Sequence, residues 1–347
     1  MVAELPDPFR FEDGRRVRSV ADWKRRVDEM RELVVGIEYG GLPATPEKTR
    51  CEVLHTATVE RFGEARFITC RVVTGLEASF ILYLLVPEGD GPFSVVLNGD
   101  GCWRYLTDEI TAEVVRRGNI LAQFNRVEIA PDMAEVDAAP GALAAWAWGY
   151  HRCVDVLVEM DFVDAAHIAI TGHSRGGKTT LLAGATDERI ALTCANDSGC
   201  GGAGSHILQG PKCERLEDIL RGFPHWFGPR LKEFVNREAE LPFDQHFLEA
   251  LIAPRALLTT EALGDFWANP MGTRQIHVAA REVYRFLGAD ERKGIWYREG
   301  GHEHGMADWR AFLDFVDWQF RGVAPEREFD ANPFPELPKG FSWSAPG

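Results

Sequence analysis

The apolar positions of the chain follow two rhythms that change near residue 92. Before it, Trp23, Val27, Met30 and Val34 recur at helical spacing and predict a helix over Ala21 to Val35. Three β-branched and aromatic runs follow, Cys51 to Glu60, Ala65 to Val73 and Ser79 to Val86, with Gly63 and Gly75 between them. Such runs predict strands, and their close succession predicts an antiparallel meander. After Pro92 strands alternate with helices. Phe93 to Leu97 reads as a buried strand, Thr107 to Arg117 as a helix, Asn119 to Phe124 as a strand and Ala142 to Met160 as a long helix. The strand around Ile168 to Ile170 then leads into a helix over Lys178 to Ala185. Ala191 to Ala195, Arg255 to Thr260 and Gly294 to Tyr297 are further buried strands, each followed by a polar loop.

Alternation of this kind implies an α/β chain with a mainly parallel central sheet flanked by helices, a three-layer sandwich. The loops at the carboxyl ends of its strands are where such sheets carry their chemistry. Gly199 to Gln245 is too long and irregular for a simple crossover and is expected to form part of a cleft wall. Residues 1–50 are expected to wrap the sheet. No repeat, low-complexity linker or shift of composition marks a second domain, so 1–347 is read as one.

Composition narrows the function classes. A net charge of -15 argues against a nucleic-acid or anionic-membrane partner, because both select a basic face. No apolar run approaches a bilayer span. The opening Met1-Val2-Ala3-Glu4-Leu5-Pro6-Asp7-Pro8 has neither a basic n-region nor an apolar h-region, so no signal peptide is read there. That fits an intracellular protein, or a secreted or periplasmic one whose signal has been removed. The seven cysteines include no C-x-x-C pair and read mostly as small buried hydrophobes.

Ile168 to Thr180 reads I-A-I-T-G-H-S-R-G-G-K-T-T. A strand, then Gly172-His173-Ser174-Arg175-Gly176, then a helix is the context of a nucleophile elbow, with Ser174 exposed at the turn and the Arg175 N–H at a helix start. That N–H suits a developing oxyanion. A serine hydroxyl needs a base, and the base needs an orienting acid. In α/β-hydrolases these follow in the order serine, acid, histidine. His302 has a late position, a post-strand loop and Gly300 and Gly301 before it, so it is read as the base. His304 is the alternative, and a metal pair of His302 with His304 lacks a third ligand nearby. Asp265 holds the usual acid position, whereas Asp197 follows the preceding strand and also has His302 in reach. Lys178 lies one helical turn after Ser174, hence on the same face, and Trp267 offers a flat apolar surface.

Gly172-His173-Ser174-Arg175-Gly176-Gly177-Lys178 resembles the G-[CH]-S-R-x-G-K signature of carbohydrate esterase family 15, the glucuronoyl esterases. Asn196 to Gly202, Phe223-Pro224-His225-Trp226-Phe227, Leu241 to His246, Leu251 to Arg255, Asp265-Phe266-Trp267 and Gly301-His302 agree in order, so the likeness covers nearly the whole chain. It implies an α/β-hydrolase that needs no metal or other cofactor. The implied substrate is an ester of glucuronic or 4-O-methylglucuronic acid on xylan or a lignin-carbohydrate fragment, cleaved through a covalent acyl-enzyme. The chain is expected to act as a monomer. It implies Ser174 as nucleophile, His302 as base, Asp197, Asp265 or both as acid, and Arg175 at the oxyanion. Lys178 and Trp267 match sugar-contacting residues, and Glu214 and Trp226 fall in the wall region that supplies further contacts. Two features depart from the pattern: Phe223 stands where fungal members place a sugar-binding Glu, and the larger cleft insertions of many bacterial members are missing. A carboxylesterase acting on acetyl or feruloyl esters, and a non-catalytic carbohydrate-binding relative, are the rival readings.

Overall fold

The computed structural model describes residues 4–75, 78–103, 105–133 and 139–346. Its strands are β1 (Arg50–Val59), β2 (Ala65–Val73), β3 (Ser79–Val86), β4 (Phe93–Asn98), β5 (Asn119–Phe124), β6 (Val163–His173), β7 (Leu192–Asn196), β8 (Ala256–Ala262) and β9 (Lys293–Arg298). Among the described residues they make one nine-stranded sheet in the order β1-β2-β3-β5-β4-β6-β7-β8-β9. The meander β1 to β3 is antiparallel and joins β5 antiparallel, while every pair from β5 through β9 is parallel.

Successive side chains of a strand point to opposite faces, and here each face meets helices. Val95, Leu97, Ile168 and Ile170 pack with Leu143, Trp146, Tyr150, Leu181 and Phe247. Those partners lie on α3 (Ala142–Leu157), α4 (Arg175–Thr186) and α6 (Gln245–Ile252). Val96, Ala169 and Leu258 point the other way, toward Ile110 and Val114 of α2 (Asp108–Arg116) and Trp309 and Phe312 of α8 (Met306–Arg321). The parallel strands are therefore apolar on both faces, which is why they read as continuous runs. Burying each such aliphatic side chain contributes about 2 kcal/mol, more than the roughly 1 kcal/mol of a helix cap such as Thr107 on the Ile110 N–H.

The hydrophobic pattern names no helix beyond the elbow, yet α5 (Leu216–Gly222), α6, α7 (Pro270–Phe286) and α8 are present. Every residue of α6 is buried, so it has no polar face from which a period could be read. The buried face of α7 mixes Gly272, Thr273, Gln275 and His277 with its aliphatics, which blurs the stripe. In α8 the spacing of Trp309, Phe312, Leu313 and Val316 is helical.

The N-terminal segment packs against helices and the C-terminal residues. Phe9 packs edge-on to Phe286 of α7 and to Trp343, Leu5 N–H donates to the Gly340 carbonyl at 2.9 Å, and α1 (Val20–Glu38) lies on α6.

Candidate active site

The turn from β6 into α4 forces Ser174 to φ 55° and ψ -120°. A non-glycine residue there costs about 1–3 kcal/mol, which the surrounding backbone supplies. Ser174 N–H donates to the Asn196 carbonyl of β7 at 2.9 Å, and its own carbonyl accepts the first helical bond from Lys178 at 3.1 Å. The crossing is too close for side chains. A Cβ on Gly172 would meet the Gly176 carbonyl oxygen at 2.5 Å, and one on Gly176 would meet Asp100 Oδ1 at 2.0 Å. Asp100, buried under the turn at the end of β4, accepts His173 N–H at 2.9 Å and bonds the Tyr105 hydroxyl and the Arg126 guanidinium.

The loop after β9 brings His302 over this turn. Ser174 Oγ donates to His302 Nε2 at 2.9 Å, and His302 Nδ1 donates to Asp265 Oδ2 at 2.5 Å. Asp265 is fixed just past β8, where its N–H donates to the Ala262 carbonyl at 3.1 Å. The Asp265 hydrogen bond, working against burial, raises the His302 pKa above that of an ordinary histidine. A hydroxyl, an imidazole and a carboxylate in this sequence of bonds form the proton path that acyl transfer to a serine requires.

Asp197 stands close by without a bond to the imidazole. Its Oδ1 accepts the Ala262 N–H at 2.7 Å and its Oδ2 accepts Arg298 Nη2 at 3.2 Å. Burial pushes its pKa up to about 8 against both donors. Arg298 also donates from Nη2 to the Gly301 carbonyl at 3.1 Å and from Nε to Asp308 at 2.7 Å, so it ties Asp197 to the loop that carries His302. His304 is not part of the relay: its ring is buried, stacked between His173 and Trp309.

Arg175 Nη1 donates to Asp132 Oδ2 at 2.5 Å, and the guanidinium lies over the faces of Trp226, Phe223 and Trp103 at 4.6, 5.0 and 5.5 Å. Lys178 is buried beside the elbow, donating to the carbonyls of Ser198 and Cys200, with Glu214 Oε2 4.0 Å away. Burial lowers the Lys178 pKa and raises that of Glu214, which Lys178 and a hydrogen bond from the Trp267 side chain oppose. Trp267 is 53% exposed and Trp226 only 3%. Trp226 therefore lies beneath the surface, stacked on Phe223 at 3.9 Å with its Nε1 on Asp132.

Residues 72–288 match the family model described as glucuronyl esterase, fungi. The 4-O-methyl-glucuronoyl methylesterase 1 of Wolfiporia cocos is 33% identical over 320 residues, 86% of this chain and 76% of that protein. The chain belongs to the glucuronoyl esterase family. It spans 66% of the length of the Phanerochaete chrysosporium 4-O-methyl-glucuronoyl methylesterase 1, to which it is 31% identical over 318 residues and 87% of its own length. Against the family 15 glucuronoyl esterase of Caldicellulosiruptor kristjansonii the TM-score is 0.88 at 31% identity, covering 100% of this chain and 98% of the other. A variant of the Sporotrichum thermophile glucuronoyl esterase in complex with methyl 4-O-methyl-β-D-glucopyranuronate aligns at a TM-score of 0.79 and 25% identity, over 95% of this chain and 92% of that one. The mainly parallel sheet with helices on both faces is thus the α/β-hydrolase fold of the glucuronoyl esterases.

Within this family frame, ligand atoms of Asp197, Asp265 and His302 fall within 4.8 Å of one another, a spacing that a metal could bridge. Here Asp197 already receives the Arg298 guanidinium and His302 already binds Asp265, so the carboxylates have cationic or donor partners within the chain. The sequence reading passed over Asp132, Trp103 and Arg298. Asp132 and Trp103 lie on loops at the carboxyl ends of β5 and β4, and that placement was the available signal. Arg298 is the last residue of β9 and carried no motif.

Proposed function

We propose that this chain is a serine esterase that hydrolyses esters of glucuronic or 4-O-methylglucuronic acid through a covalent acyl-enzyme. The observation that carries the reading is the Ser174, His302 and Asp265 relay in a member of the glucuronoyl esterase family. Ser174 Oγ attacks the ester carbonyl as its proton passes to His302 Nε2, and Asp265 holds the imidazolium that forms. The Arg175 N–H and guanidinium stabilise the oxyanion. His302 then returns the proton to the departing alcohol, and water repeats the sequence to release the uronic acid. Lys178, Glu214 and Trp267, adjoining one another beside the elbow, supply hydrogen bonds and a ring face for the sugar. With the substrate carboxyl esterified and neutral, Lys178 serves as a donor rather than a counter-ion. Trp226 acts beneath this surface by holding Arg175 and Asp132.

The natural substrate in this proposal is a glucuronate ester joining xylan to a lignin alcohol; the names of the fungal relatives support the glucuronoyl side of that ester. The proposal takes a monomer as the working unit. The test is parallel hydrolysis of benzyl glucuronate, methyl glucuronate and 4-nitrophenyl acetate. Faster turnover of the glucuronates is expected, and strong preference for the acetate would remove the glucuronate assignment in favour of a general carboxylesterase.

A further inference from the structure

Arg175 follows the serine in sequence, but its side chain is bonded to a residue far away in the chain. Asp132, on the loop beyond β5, receives three donors. Trp226 Nε1 reaches its Oδ1 at 2.8 Å, His225 Nε2 reaches the same oxygen at 3.0 Å, and Arg175 Nη1 reaches Oδ2 at 2.5 Å. Two of the three come from the short turn Pro224–Trp226 and converge on Oδ1, so one carboxylate oxygen is anchored by that turn and the other is presented to Arg175. Burial works to raise the Asp132 pKa, but the hydrogen bonds from Trp226, Arg175 and His225 outweigh it and keep the carboxylate ionised.

A guanidinium on a flexible stem gains little from charge alone if it must be ordered during the reaction. Here three aromatic faces restrict it from Trp226, Phe223 and Trp103, and the Asp132 bond fixes which edge turns inward. That bond is made by Nη1.

We propose that Asp132 is a positioning residue for the reaction: anchored by His225 and Trp226, it holds the Arg175 guanidinium in the orientation that meets the oxyanion. The proposal rests on the reading of Arg175 as an oxyanion donor and deepens it. Its consequence is that Asp132 matters to the transition state only through Arg175. A carboxylate that simply stitched the loop to the wall would matter whether or not Arg175 were present.

The experiment is a double-mutant cycle on the full chain with Asp132→Ala, Asp132→Asn, Arg175→Ala and the Asp132→Ala, Arg175→Ala pair. Both kcat and KM are measured with methyl glucuronate and with 4-nitrophenyl acetate. Removing the Arg175 side chain is expected to lower kcat about a hundredfold, as loss of an oxyanion donor does. Asp132→Ala is expected to lower kcat about tenfold with KM within about twofold, and to add nothing further once Arg175 is alanine. Asp132→Asn keeps one acceptor oxygen, which can meet either Nη1 or the Trp226 and His225 donors but not both, so it is expected to recover only part of the loss, and it carries the test if the alanine variant folds poorly. Equal fractional losses of kcat with and without Arg175, a change confined to KM, or unchanged kcat in Asp132→Ala would overturn the proposal. Unchanged kcat in Arg175→Ala would overturn it together with the oxyanion reading. A wild-type chain that turns over the acetate but no glucuronate would sink only the substrate assignment, because every acyl transfer forms an oxyanion and the cycle can be read on the acetate.

Discussion

Two carboxylates stand near one imidazole, and their hydrogen bonds divide the work between them. Asp265 bonds His302 directly, whereas Asp197 is turned to Ala262 N–H and Arg298. Asp265→Asn should therefore cost about four orders of magnitude in kcat, the loss seen when a relay imidazole is left without its carboxylate. Asp197→Asn should cost less than about tenfold near neutral pH. Asp197 makes no bond to the imidazole, and the amide oxygen of the variant can still accept the Ala262 N–H, so the relay itself is left intact. Steady-state kinetics of the two variants decides this, and a nearly silent Asp265→Asn beside a dead Asp197→Asn would reverse the assignment. The pH profile gives a second check. His302 must be neutral to accept the serine proton, and Asp265 raises its pKa, so activity should fall as the pH drops through a value above that of an ordinary histidine. In Asp265→Asn the residual activity should persist to lower pH.

The elbow between β6 and α4 shows how a local sequence is held in a costly shape. Ser174 keeps its positive φ because Gly172 and Gly176 let strand and helix cross, and because Asp100 fills the space beneath them. Asp100 cannot retreat, being bound by Arg126, Tyr105 and the His173 N–H at once. Gly176→Ala would drive a methyl group into that carboxylate. Overpacking of this kind costs about 1–3 kcal/mol. The variant should lower the urea midpoint and reduce kcat, because relief of the clash must move either the elbow or the loop that carries Asp100. Equilibrium unfolding together with kcat tests both, and wild-type values for the two would show that the turn is looser than its contacts imply.

The packing of the whole molecule buries several histidines, and that makes stability depend on pH. Burial lowers the pKa of His151, His173, His246, His277 and His304, with His173 and His246 brought to about 4. Each is kept neutral in the folded chain and takes up a proton on unfolding once the pH is below about 6.5. Between that value and its folded pKa, each such group removes about 1.4 kcal/mol of stability per unit fall in pH. His206 and His302 have raised values and act oppositely, but their contribution is complete by the time the pH reaches the unfolded value. Buried carboxyls with raised values, Asp197 and Glu261 among them, act the other way as the pH falls. Urea unfolding at pH 6.0 and 5.0 (roughly the window just below ordinary histidine titration) should therefore show stability falling more steeply in the wild type than in His246→Gln, and equal slopes would mean that water reaches that ring.

What the sequence by itself determined is local or periodic. The meander, the parallel strands and the elbow could be read because alternation, apolar runs and glycine placement act within a few residues of one another. The surface Trp267 and the buried Trp226 looked alike in one dimension, since exposure is a property of what packs around a ring. Helices α6 and α7 were hidden for related reasons: α6 is buried on every side by neighbours distant in the chain, and the buried face of α7 carries Gly272, Thr273, Gln275 and His277, so neither shows a clean apolar stripe. The candidate site divides along the same line. Ser174, His302 and Asp265 could be named from loops that follow strands, but only the sheet order, with β6, β7, β8 and β9 side by side, decided that Asp265 rather than Asp197 touches Nδ1. Asp132 could not have been linked to Arg175 from sequence, because 43 residues separate them and the bond exists only where the loop beyond β5 folds back over the start of α4.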